Sequence, residues 1–599
     1  MKAICNHLAS PVFSDLDRHF AAFAEAQAGG ARPTLALAAA LVSRQRREGH
    51  VCLDLPTVAG SILRDTPDNE ASGIRLPSLA AWLKDLAGSA VVGAPEEFRP
   101  LILDAAHRLY LQRYWHYEQH LAREILRRAG QAMEVADPAA LEQRLDALFA
   151  PEPGGMVNWQ RTAAEAAVRR NLCVISGGPG TGKTHSLVLI LGLLLDLERA
   201  RKLRIAVAAP TGKAAARIQD SIQAMRRQLP CSDDIKAQLP EQATTLHRLL
   251  GYRPDSASFR HNADNPLPYD VVAVDEASMV DLALMAKLFQ AIPASARVIL
   301  LGDKDQLASV EAGAVLGDIY AASRTPASGK PPAPAANKPL AACVVQLRRN
   351  YRFGEQSLIY QLSGAIKSGN ADSALQILRR CEGKNAGDLA AAALPGRGQL
   401  KAALRDPIVS GLRAFMQARD PLAVLAALGQ FRILCALREG PYGVAGLNSL
   451  TEDILEEEGL IRRNSPWYSR RPILITRNDY NLKLFNGDIG VILPDSQGEP
   501  RAFFPGSENT FRQFLPLRLP THETAYALTV HKSQGSEFER VLMVLPDRDS
   551  PVLSRELLYT GLTRARKSVG LWFEESALRL SINRSVSRSS GLRDALAAQ

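Results

Sequence analysis

Cysteine is sparse in this chain and never clustered. Cys5, Cys52, Cys173, Cys231, Cys343, Cys381 and Cys435 are spread over 599 residues with no CxxC pair and no Cys/His group at metal-binding spacing. That excludes a disulfide framework and a zinc-ligand cluster, and fits reduced thiols in a cytoplasmic protein. Long apolar runs are also missing. The longest, LVLILGLLL at 187–195, is too short to span a bilayer, and MKAICNHLASPVFSDLDRHF at the N-terminus lacks the apolar core of a signal peptide. No membrane association is expected. With 46% hydrophobic and 22% charged residues, the composition excludes global disorder, and no internal repeat is present.

What is present is length and positive charge. At roughly 100 to 200 residues per domain the chain holds about three to five domains. A net charge of +10 and a pI near 9.3 favour a polyanionic partner without naming one. Residues 1–150 show helical periodicity, as in HRLYLQRYWHYEQHLAREIL from His107 to Leu126, whose aromatics suit a core-facing helix. PEPGG at 151–155 marks a boundary. From there short β-branched runs (LCVIS, RIAVAAP, DVVAVDEAS, ARVILLGD) alternate with helical patterns, which predicts a mostly parallel sheet covered on both faces over 151–342. Its last stretch, 324–342, is Pro/Ala-rich and reads as a surface loop. A second α/β pattern covers 343–482 and 525–599, with strand-like RPILIT, RVLMVLP and VGLWF. Short strands and turns at 483–524, including NGDIGVILPDSQGEPRAFF, interrupt it as a small β insertion.

The chemistry starts at GGPGTGKT, Gly177 to Thr184. It fits G-x-x-x-x-G-K-[ST] between a strand and a helix, the context in which backbone N–H groups turn onto phosphates at a helix N-terminus. Gly177, Gly178, Pro179, Gly180, Thr181 and Gly182 form the cradle. Lys183 reaches the β/γ-phosphates, and Thr184 offers its hydroxyl to Mg²⁺. In VVAVDEAS an acidic pair follows four apolar residues, so Asp275 serves Mg²⁺ and Glu276 orients or deprotonates the attacking water. The chain is therefore expected to bind and hydrolyse a nucleoside triphosphate.

Seven further stretches follow in a fixed order around that loop: NWQRTAAEAA, APTGKAAARI, TLHRLLG, LLGDKDQLASVEAGAVLGDI, QLRRNYRF, LTVHKSQGSEF and LLYTGLTRAR. The series resembles the motifs of superfamily 1 DNA helicases, and within them the RecD family, the alpha subunits of exodeoxyribonuclease V. The resemblance covers most of the chain after residue 155, and the helix LYLQRYWHYEQHLAREI is similar to the family's N-terminal region.

The resemblance implies an α/β fold with two RecA-like motor domains, an SH3-like insertion and a helical N-terminal domain. It implies that Arg352 and Arg564, both expected in the second core, meet the γ-phosphate of ATP held by the first, a task suited to a planar, permanently charged guanidinium. Gln306 resembles the sensor joining that phosphate to the DNA surface, and Gln160 the contact to adenine, although a surface amide would read the same. Thr211, Lys213, Thr245, His247, Thr529 and His531 lie in motifs that touch single-stranded DNA, which polar groups can grip without reading sequence. Either histidine could instead be structural, and an ordinary hairpin excursion would fit the insertion as well as a barrel. The family further implies 5′ to 3′ translocation, RecB and RecC as partners, with RecC contacted by residues 1–150, and recombinational repair of double-strand breaks. No nuclease-type carboxylate cluster with a nearby lysine is present, so cutting is expected on another subunit. A stand-alone RecD-like helicase and a non-translocating ATP- and DNA-binding subunit are the alternatives.

Overall fold

Leu172–Gly177 is buried at all six positions, and Arg297–Gly302 and Val271–Val274 likewise bury every residue. Strands apolar on both faces need cover on both faces, so they sit inside a parallel sheet between helices. In the computed structural model, which describes residues 8, 10–64, 73–152, 156–199, 201–254, 256, 258–324, 339–381, 387–506 and 510–598, they form the centre of the first core. The sheet order is Val344–Leu347, Leu172–Gly177, Arg297–Gly302, Val271–Val274, Ile205–Ala209, Thr244–Thr245, all parallel. The helix after the glycine loop, Lys183–Leu197, is buried over ten consecutive residues from Ser186 to Leu195, which explains its run of leucines.

A second parallel sheet runs Leu389–Ala393, Ala565–Phe573, Phe538–Val544, Phe431–Cys435, Ala527–Thr529. The β insertion is a five-stranded antiparallel sheet, Phe511–Phe514, Pro500–Pro505, Ile489–Pro494, Pro472–Ile475, His522–Thr524, around Ile473, Ile475, Ile492 and Phe504.

Three boundaries differ from the sequence reading. Val344–Leu347, placed beyond the 342/343 boundary, pairs with Leu172–Gly177 and completes the first sheet. Pro472–Ile475, the RPILIT run expected in the second core, joins the insertion instead, so the insertion starts before residue 483. The C-terminal stretch leaves the second core. Val51 N–H donates to Ser589 O, and Leu592 and Leu596 of the helix Leu592–Ala597 are buried in the first core's apolar cluster. Most of the Pro/Ala loop lies outside the described residues, but its end forms a short helix, Pro339–Cys343.

The N-terminal region is helical and also carries a sheet that periodicity did not reveal: Cys52–Asp54, Arg108–Leu111, Leu101–Leu103, Val92–Gly93. Arg108–Leu111 is therefore strand, and the long helix begins at Gln112 and runs to Gly130. That helix docks the region onto the first core. Tyr114, Trp115 and Tyr117 pack against it, and the fully buried Arg128 donates to the carbonyls of Ile292 (2.9 Å) and Pro293 (3.2 Å) with its guanidinium over the Phe289 ring. Among the described residues no helix is long and apolar enough to cross a membrane.

Candidate functional site

The glycine loop turns out of the C-terminal end of Leu172–Gly177. Gly182 has φ +81°, a left-handed conformation that costs a side-chain-bearing residue about 1 kcal/mol, and it starts the helix with no side-chain cap, leaving its first N–H groups for a ligand. Lys183 Nζ donates to Gly177 O (2.7 Å) and Gly178 O (3.3 Å), which holds the ammonium over the cradle. Thr184 Oγ1 donates to Asp275 Oδ2 at 3.1 Å. Burial raises the Asp275 carboxyl above the usual range, the Glu276 charge adds to this, and Lys183 opposes it.

Glu276 follows with φ +53°, a strained backbone for a glutamate. Such strain of order 1–3 kcal/mol persists where surrounding structure imposes it, commonly at functional sites. Glu276 lines one cleft of about 190 Å³ with Lys183, Thr184, Asp275, Arg352 and Arg564. The loop, the hydroxyl–carboxylate pair and the strained glutamate thus share one pocket at the carboxyl ends of the strands, where open α/β sheets bind ligands.

The second core closes this cleft. Arg564 is 2% exposed; Nη2 donates to Gln306 Oε1 (3.1 Å) and Nε to Thr560 O (3.1 Å). Gln306 and Arg564 are therefore in direct contact across the cores. Leu307 N–H donates to Thr560 Oγ1 (3.0 Å), and Tyr559 Oη to Asp303 Oδ2 (2.9 Å). Arg352 is placed differently from expectation. It lies in the connection just after Val344–Leu347, where Asn350 Oδ1 accepts from Arg352 N (2.8 Å) and Tyr351 N–H donates to Gly180 O (2.7 Å). Its guanidinium meets Glu537 of the second core at 2.6 Å.

Gln160 lies beside the loop, with Nε2 donating to Thr181 O at 3.4 Å. It opens onto a neighbouring cavity of about 650 Å³ with Trp159, Tyr351 and Tyr360, and Tyr351 is 52% exposed there.

The residues expected at DNA divide. Thr211 caps the helix Gly212–Arg226 by accepting from Ala214 N, and Thr245 caps Leu246–Leu250 by accepting from Arg248 N. Lys213 has a partly exposed stem, but its Nζ is enclosed without a hydrogen-bond partner, and burial lowers its pKa to about 7. Thr529 Oγ1 accepts from Lys532 N (3.2 Å), and Lys532 Nζ reaches Asn486 of the insertion (2.9 Å). His247 is exposed and packs edge-on against Tyr252 and Phe259, while Tyr252 stacks on Tyr480 of the insertion at 5.5 Å. Both cores and the insertion therefore border this region. His531 is half-buried; burial lowers its pKa, and the charge of Arg588 adds to that.

Sequence reading passed over Asn350, Tyr351, Glu537 and Tyr559 individually. All four lie inside stretches it singled out, so the signal was the motif, while the role of each residue depends on a distant partner. Two facing α/β cores, one with a phosphate loop and the other with a buried arginine touching Gln306 of the first, define a two-core nucleotide-hydrolysing motor.

The RecBCD enzyme subunit RecD of Mycolicibacterium smegmatis is 39% identical over 94% of this chain and 93% of its own length. The chain belongs to the RecD family. The RecD subunit of Haemophilus influenzae is 35% identical over 81% of this chain and 79% of its own, and the ATP-dependent RecD2 DNA helicase of Deinococcus radiodurans is 32% identical over 69% of this chain and 48% of its own. Family models match in three places: the RecBCD enzyme subunit RecD N-terminal domain at residues 9–110, an AAA domain at 160–312 and the UvrD-like helicase C-terminal domain at 524–572. Among solved structures, Bacteroides Pif1 bound to single-stranded DNA covers 70% of this chain and 94% of its own at TM-score 0.37 and 16% identity, too distant a likeness to bear on the site.

Proposed function

We propose that this chain is the RecD motor of a RecBCD-type helicase/nuclease, translocating 5′ to 3′ on single-stranded DNA in assembly with RecB and RecC. That it is an ATP-dependent DNA helicase follows from its family membership and its helicase domains. The observation that carries the mechanism is the contact of buried Arg564 with Gln306 across the cleft that holds Lys183 and Glu276.

ATP is held by the glycine cradle, with Lys183 against its terminal phosphates. Thr184 and Asp275 are the pair that would hold Mg²⁺, which when bound neutralises phosphate charge. The donor set fits, because a hydroxyl and a carboxylate 3.1 Å apart at the loop's edge suit a cation that keeps most of its shell for water and phosphate oxygens. Glu276 orients the attacking water. Arg352 and Arg564 stabilise charge on the transferring phosphoryl group, so each nucleotide draws the cores together and hydrolysis releases them. Tyr351 and Gln160 flank the slot for the base.

DNA runs past Thr211, Lys213, Thr245, His247 and Thr529, bordered by the insertion; His531 belongs to the same motif as Thr529. Residues 1–150 are the proposed RecC-facing region, and the second core and insertion divide at about residue 472, where Pro472–Ile475 joins the insertion sheet. The RecD N-terminal domain match at residues 9–110 supports a separate N-terminal region.

The test is unwinding of duplexes with a 5′ or a 3′ single-stranded tail, by the chain alone and with RecB and RecC, beside Lys183→Gln. Unwinding from the 5′ tail that the variant loses is expected. Equal behaviour of wild type and variant in every setting would leave only an ATP- and DNA-binding subunit.

A further inference from the structure

Arg217 has no part in the mechanism above, yet it lines the same cleft as Lys183, Glu276 and Arg564. It comes from the first core, on the helix Gly212–Arg226. Its guanidinium donates to Glu537 Oε1, the oxygen that also accepts from Arg352 Nη2 at 2.6 Å. Glu537 Oε2 accepts from Arg566 Nε at 3.0 Å. The carboxylate is 6% exposed and three guanidinia converge on it, whereas 40% of the Arg217 side chain stays open.

One carboxylate oxygen shared between two guanidinia leaves donor N–H groups on both. A transferring phosphoryl group, with charge spread over three oxygens, is the acceptor that such surplus donors suit. The helix carrying Arg217 begins at Thr211 and Lys213. Arg217 is six positions after Thr211, about 9 Å along the axis, so the two lie within two turns of one rigid helix.

We propose that Arg217 is a third arginine for the transferring phosphoryl group, supplied by the first core and positioned by Glu537, and that it makes hydrolysis depend on DNA held at the start of its helix. This rests on the DNA-motor reading. A DNA phosphate at Thr211 and Lys213 sets the helix, and the helix sets the guanidinium. Arg217, on its helix, and Arg352, in the connection after Val344–Leu347, then reach the phosphoryl group while Glu537 of the second core keeps both forks aimed. A plain inter-core ion pair would affect closure and nucleotide affinity, whereas a phosphoryl contact acts on turnover.

The experiment is steady-state ATP hydrolysis by the full chain, alone and assembled with RecB and RecC, with and without single-stranded DNA. Wild type, Arg217→Ala, Arg217→Lys and Glu537→Gln are compared, each read as activity above Lys183→Gln. Expected for Arg217→Ala is a 10- to 100-fold fall in DNA-stimulated kcat, larger than its fall in DNA-free turnover, with KM for ATP and DNA affinity within threefold. Arg217→Lys, which keeps the charge but loses the fork, falls at least fivefold and carries the test if the alanine variant does not fold. Glu537→Gln lowers kcat in the same DNA-dependent way. DNA-stimulated kcat within twofold of wild type, a change in KM alone, or an equal loss with and without DNA overturns the proposal. A wild type no more active than Lys183→Gln overturns the motor reading and this inference with it.

Discussion

Position 178 is one of the four free positions in G-x-x-x-x-G-K-[ST], and Gly178 has no positive φ, so neither the motif nor the backbone requires glycine there. Tyr559 does. A Cβ at 178 would lie 2.6 Å from Tyr559 Oη, whose ring is 3% exposed and whose hydroxyl donates to Asp303. Gly178→Ala must push the phenol back by about an ångström and break that bond. A hydrogen bond to a charged group is worth about 1.5–3 kcal/mol, so DNA-stimulated kcat should fall about 10- to 100-fold. Tyr559→Phe loses the same bond but removes the obstructing atom, leaving Cζ 4.0 Å from the new methyl, an ordinary contact. Asp303 keeps the donors Gln306 Nε2 (3.1 Å) and Asp305 N (3.0 Å). The double variant should therefore be no worse than Tyr559→Phe alone, a non-additivity of about 1.5–3 kcal/mol in a four-protein kinetic cycle. Additive losses, or a Gly178→Ala enzyme within twofold of wild type, would refute the claim that this contact closes the cores.

Burial raises Glu118 from 4.5 to about 7, opposed by donors from Ser590 Oγ, Gly591 N and Tyr110 Oη. The folded state holds this proton more tightly than the unfolded one, so its contribution is lost as pH rises from about 4.5 to 7. Glu118→Gln should gain about 2.5 kcal/mol over wild type between pH 5 and pH 8 in denaturant melts, and a pH-independent difference would refute this. Lys213 titrates near 7, mainly through burial and then through the charges of Arg432 and Lys532, with Asp488 opposing. Because a DNA phosphate favours the charged form, single-strand affinity at fixed salt should fall by up to tenfold per pH unit above 7, and Lys213→Gln should flatten the profile; a wild-type profile as flat as the variant's would count against the contact. Tyr480→Ala, which removes the 5.5 Å stack on Tyr252, should weaken single-strand binding by about 1–3 kcal/mol without changing its salt dependence, and an affinity within twofold of wild type would exclude base stacking there.

The amino-acid sequence by itself determined the chemistry of the nucleotide site. GGPGTGKT, the DE pair after four apolar residues and the order of the helicase-like stretches are local patterns, legible because phosphate binding needs particular residue types at short spacing. Buried parallel strands were legible for the same reason, as continuous apolar runs. Which sheet a strand joins was not. Val344–Leu347 and Pro472–Ile475 are both short apolar segments, and only pairing with Leu172–Gly177 in one case and Ile489–Pro494 in the other decides their membership. The N-terminal strands, two to four residues long, are too short to show a period. Tertiary structure alone decided the contacts that join the halves of the site, since Arg217 and Glu537 are 320 positions apart and Tyr559 and Asp303 are 256 apart. No local rule relates residues at such separations, because the packing of whole cores brings them together.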